Sequence, residues 1–65
     1  MCLAKVYLKK DNKNELFWES VASVEIQDKS LALNTIFSET KQIKGNIKKI
    51  DFANSNILIE VNGEY

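Results

Sequence analysis

Apolar and polar residues alternate along most of this chain. Cys2, Ala4, Val6 and Leu8 fall on one side of such an alternation, with Leu3, Lys5, Tyr7 and Lys9 on the other. A period of two belongs to a β-strand with one buried face, so a first strand is expected from Cys2 to Leu8. The polar stretch Lys9 to Asn14 follows as a turn. Glu15 to Trp18 reads as a short second strand, and Glu19 to Ala22 fits no element. A strand through Val24 and Ile26 stops at the hairpin-type turn Asp28-Lys29-Ser30. Leu31, Leu33, Thr35 and Phe37 then share a face, and Ser38-Glu39-Thr40 forms the next turn.

The stretch Lys41 to Asp51 alternates loosely around Ile43, Ile47 and Ile50, with Gly45 as a bend or bulge. Residues Lys41 to Phe52 also carry these isoleucines at helix-like spacing, but Gly45 and the β-branched side chains weigh against a helix. Ala53-Asn54-Ser55-Asn56 is a turn, and Ile57, Ile59 and Val61 form the inward side of a last strand. About six short strands separated by turns predict an all-β fold, a small antiparallel barrel or sandwich of the SH3 or Sm-like kind.

A chain of 65 residues is one domain, spanning 1–65. At that size only about 60% of the unfolded surface is hidden, so the core is marginal. Small scaffolds compensate with a disulfide, a metal or a partner chain. The single cysteine excludes an intrachain disulfide, which makes a homodimer the expected remedy.

Charge narrows the function. Nine cations, all lysine, balance nine Asp and Glu for a formal net charge of zero. Nucleic-acid binders carry a cationic excess and use guanidinium forks, so RNA binding is disfavoured here. No apolar run approaches the roughly 20 residues of a membrane span. Lys5 and the charged stretch from Lys9 break any secretory apolar region. A lone free thiol without a targeting segment fits a reducing cytoplasm.

Cys2 is the candidate of most interest because the chain has no histidine. Its bland role is that of a small core hydrophobe beside Ala4, Val6 and Leu8. Its chemical role is that of the only strong side-chain ligand for a soft or borderline metal. One cysteine is too few, so the rest of the set must come from backbone nitrogen, carboxylate oxygen or a second copy. Thiolate with main-chain amide nitrogen favours Ni(II) or Cu(II), whereas sulfur-rich tetrahedral sets suit zinc. In a symmetric dimer the same patch meets itself, and two Cys2 thiolates could converge on one ion.

Other features are less specific. Lys41, Lys44, Lys48 and Lys49 surround Gly45-Asn46 and could attract phosphate, although edge lysines also deter strand-to-strand aggregation. Phe17 and Trp18 are adjacent, so a regular strand exposes one of them, to a base or more readily to a partner subunit. No serine has a recognisable base nearby, and histidine, the usual base near neutral pH, is missing. The chain does not read as an enzyme.

Met1-Cys2-Leu3-Ala4-Lys5-Val6-Tyr7-Leu8 resembles the start of CooT-type proteins, which open on Met-Cys, a variable residue and Ala-Lys-Val. The likeness continues through Asn34-Thr35-Ile36-Phe37-Ser38-Glu39, Gly45-Asn46-Ile47-Lys48-Lys49-Ile50-Asp51-Phe52 and Ile57-Leu58-Ile59-Glu60. The resemblance implies a small dimeric β-protein that binds Ni(II) and assists its delivery to carbon monoxide dehydrogenase, with Cys2 as a metal ligand. The implied partners are a second copy and carbon monoxide dehydrogenase or other nickel-maturation proteins. A small Sm-like RNA-binding module is the alternative.

Overall fold

A computed structural model describes residues 3–61, which form six strands and no helix. They are β1 (Ala4–Lys10), β2 (Lys13–Ile26), β3 (Leu31–Thr35), β4 (Thr40–Ile43), β5 (Gly45–Asp51) and β6 (Asn56–Val61). All six lie in one sheet, in the order β4-β3-β2-β1-β6-β5. The edge strands β4 and β5 are at opposite ends of that order, yet only Lys44 separates them along the chain. The sheet must therefore curl on itself to connect its own edges. It is a half-barrel rather than a two-layer sandwich.

The expected all-antiparallel arrangement is corrected at one pair, because β1 and β6 run parallel. The cause is the corner at Lys44. Chain direction reverses between β1 and β2, β2 and β3, and β3 and β4. Lys44 bends the chain without reversing it, so β5 keeps the sense of β4 and β6 returns in the sense of β1.

Alternation places the core as the sequence suggests. Val6, Leu8, Val21, Leu31, Leu33, Ile43 and Ile59 are buried together, and Phe17, Trp18, Val24, Ile47, Ile57 and Val61 pack against them. Gly45 lies where β5 passes close to β6. A Cβ there would sit 2.5 Å from the Glu60 carbonyl oxygen and 3.0 Å from Ile59 Cγ2.

The unassigned segment Glu19 to Ala22 is the middle of the long strand β2. Between the pairs Ala4↔Val21 and Val6↔Trp18, β2 advances one residue more than β1. Ser20 absorbs this bulge with φ of 60°, and its carbonyl accepts a 3.2 Å hydrogen bond from the Ile36 amide. The bend lets one half of β2 pair with β1 and the other with β3. A second irregularity separates Val6↔Trp18 from Tyr7↔Leu16 and leaves Phe17 as the extra residue. Phe17 and Trp18 thus both turn toward the core, where a regular strand would have exposed one.

The third strand ends sooner than expected. The buried Thr35 hydroxyl accepts hydrogen bonds from the Phe37 amide at 3.2 Å and the Glu39 amide at 3.3 Å. This local competition for backbone donors starts the turn at once. Phe37, expected inside, is 68% exposed. The first turn is shorter than Lys9 to Asn14, since pairing continues to Lys10↔Lys13 and only Asp11-Asn12 reverses the chain.

Candidate functional site

The described chain begins at Leu3, on the rim of a cleft of about 380 Å³ at one end of the half-barrel. Val24 of β2, Ile50 of β5, Ile57 of β6 and Phe52 line it with Leu3. Ile50 is 47% exposed and Phe52 87%. Ile50 pairs with Ile57 near the end of β5, and Phe52 follows in the turn after it, where no neighbouring strand can cover a ring. The sequence signal for this apolar mouth was an aromatic residue directly ahead of a polar turn.

Asp51 also lines the cleft and holds that turn together. The Asn54 amide donates to Asp51 Oδ1 at 3.1 Å, and Asn54 Nδ2 donates to Oδ2 at 2.9 Å. These two bonds, the side-chain one foremost, hold the carboxyl below its ordinary range, with Lys49 adding attraction and desolvation opposing. The carboxylate is therefore charged and already engaged at neutral pH.

Cys2, the sequence-predicted metal ligand, lies outside the described residues. Among the described residues no group of three or more His, Cys, Asp or Glu comes together. The other predicted features can be placed. Lys41 lies on β4, with Nζ 5.0 Å from the Phe17 ring centre and 4.7 Å from that of Trp18. Lys48 is ion-paired with Glu60 at 3.5 Å. Lys49 pairs across the sheet with Leu58, and Lys44 sits exposed at the corner. These four lysines do not converge on one phosphate-sized point, because the corner and the strand alternation send them to different surfaces. Tyr7 is half-buried between Leu16 and Leu58 on the outer face, and Tyr65 lies outside the described residues. No helix among the described residues is long and apolar enough to cross a membrane.

Comparison with known proteins adds to this geometry. The family model described as CO dehydrogenase accessory protein CooT matches residues 1–60. A crystal structure of a candidate CooT from Carboxydothermus hydrogenoformans superposes with a TM-score of 0.85. The two chains are 33% identical, over 94% of this chain and 98% of that one. A search of curated proteins finds no match.

Proposed function

Because this chain belongs to the CooT family of CO dehydrogenase accessory proteins, we propose that it is a cytoplasmic, homodimeric Ni(II) carrier that assists nickel insertion into carbon monoxide dehydrogenase. Nickel is cargo in this scheme, and the chain performs no catalysis of its own. The observation that carries the proposal is the family match over residues 1–60, a span that takes in Cys2.

The chemistry of the donors supports it. Cys2 supplies the thiolate, and backbone amides supply nitrogen, a set suited to Ni(II). One such thiolate is too few for firm binding, and a second copy related by a two-fold axis supplies another. Two thiolates on one ion lie within a few ångströms of each other. The surfaces next to Leu3 must then meet, and the exposed Ile50 and Phe52 beside it provide apolar area for that contact. Carrier function needs release as well as capture, and a ligand set at a subunit junction can open when the junction does. Thiolate ligation displaces a proton, so affinity falls as the solution is acidified.

The test is a Ni(II) titration of the purified chain, followed by its thiolate-to-nickel charge-transfer absorption. One ion per dimer is expected, with the band absent in Cys2→Ser. Phe52→Glu should sediment as a monomer and lose stoichiometric uptake. Equal uptake by wild type and Cys2→Ser would remove nickel carriage through this residue.

A further inference from the structure

The outer face of the sheet carries a row of side chains set by strand register. Leu16 of β2 pairs with Tyr7 of β1, Tyr7 with Leu58 of β6, and Leu58 with Lys49 of β5. Leu16 is 49% exposed, while Tyr7 and Leu58 are half-buried. A shallow groove of about 270 Å³ runs along Tyr7, Asn14, Leu58 and Lys49. The row has an apolar centre on a strand face that alternation would make polar.

Lysines line its borders. Lys5 and Lys9 occupy the same face of β1 as Tyr7, one on each side of it along the strand. Three carboxylates share this face: Glu60 beside Lys9, Asp51 beside Lys49, and Glu19 in the β2 bulge across from Lys5. Glu60 pairs with Lys48, and Asp51 accepts from Asn54. Among the described residues no carboxylate is within ion-pair distance of Lys5 or Lys9. Lys5, Lys9, Lys48 and Lys49 outnumber these carboxylates on the face by one.

We infer that this face is a protein-docking surface, and that its partner presents an apolar centre rimmed by Asp and Glu. The inference rests on the accessory role, which requires a protein partner, and it names the surface that role would use. Tyr7 is the natural anchor, since an aromatic body with a polar tip suits an interface centre. Lys5, Lys9 and Lys49 form the rim, where complementary charge speeds encounter and fixes orientation. A nucleic acid fits less well. Leu16 and Leu58 offer nothing to phosphate, arginine is absent, and the net charge is zero.

The experiment measures binding of the full chain to purified, nickel-free carbon monoxide dehydrogenase by biolayer interferometry, at about 50 and about 300 mM salt. Wild type should bind more weakly at the higher salt. The double variant Lys9→Glu/Lys49→Glu should bind at least about tenfold more weakly and lose most of that salt dependence. Tyr7→Ala should weaken binding while keeping the salt dependence. Lys29→Glu, the same charge change at the β2–β3 turn, should match wild type. Circular dichroism melts establish that each variant is folded.

Equal binding by wild type and the double variant would overturn the docking face and leave nickel carriage through Cys2 standing. Absence of wild-type binding at low salt would also overturn it, with the carrier role judged separately by the titration of Cys2→Ser. Binding of a short single-stranded RNA that the double variant loses would reassign the face to nucleic acid. Wild-type self-association lost in the double variant would reassign it to a second copy.

Discussion

Replacing Gly45 with alanine sets two physical effects against each other. Glycine in a strand is conformationally costly, so alanine gains roughly 0.5–1 kcal/mol if the site has room. The site has none. The new methyl would lie 2.5 Å from the Glu60 carbonyl oxygen, and carbon–oxygen contacts close to about 3.3 Å at best. Relief requires β5 to move from β6 by roughly 0.8 Å, which stretches a hydrogen bond of about 2.9 Å well past the useful range. Ile59 Cγ2, at 3.0 Å from the same position, blocks the sideways escape. Overpacking of this sort costs about 1–3 kcal/mol.

The net expectation for Gly45→Ala is a loss of about 1–2 kcal/mol, or roughly 4–8 °C of Tm per kcal/mol in a domain of this size. Trp18, the single tryptophan, reports unfolding in urea at a fixed protein concentration. Asn46→Ala is the control, one residue along the same strand and exposed, and should stay within about 0.5 kcal/mol of wild type. A Gly45→Ala protein with an unchanged or higher urea midpoint would refute the close-approach argument, because only backbone propensity would then be acting.

Two further outcomes follow from the structure. Leu33 is fully buried at the centre of the core, so Leu33→Ala should cost about 2–5 kcal/mol against a total of about 3–10 kcal/mol for a chain this long. Urea unfolding should move to a much lower midpoint, whereas Leu33→Met should stay within about 1.5 kcal/mol of wild type. The Asp51 carboxyl is held below its ordinary value near 3.8, so its contribution is complete above that value and is lost as pH falls through the lowered one. Wild-type Tm should therefore drop more between about pH 5 and pH 3 than that of Asp51→Asn; parallel declines would count against the Asn54 clamp.

The buried face was legible wherever alternation ran undisturbed. Val6 and Leu8, Leu31 and Leu33, and Ile57 and Ile59 all turn inward as their spacing suggests, because a strand of period two leaves no choice of side. It was illegible where the backbone broke that period. Ser20, with its left-handed backbone, has no residue-type signature, since serine there replaces the expected glycine or asparagine. That is why Glu19 to Ala22 fitted nothing, and the separate irregularity at Phe17, equally without a residue-type mark, is why Phe17 and Trp18 ended on the same side. The parallel pairing of β1 with β6 was equally hidden, for it follows from a bend at Lys44 that an ordinary exposed lysine does not announce. Of the candidate site, Cys2 stood out by elimination, as the one thiol in a chain without histidine. The mouth that Ile50 and Phe52 share with Leu3, Val24 and Ile57 draws on segments distant in sequence and becomes visible only when the half-barrel brings β1, β2, β5 and β6 together.

The parallel pair at the heart of the sheet also governs how the molecule is born. A growing polypeptide that has emerged only as far as β4 holds the partners of β2 and β3, but one flank of β1 stays bare until β6 arrives. Such distant pairing is slow, because the entropy of closing a long loop must be met first. The sheet therefore closes only after its last-made strand is free to dock beside its first.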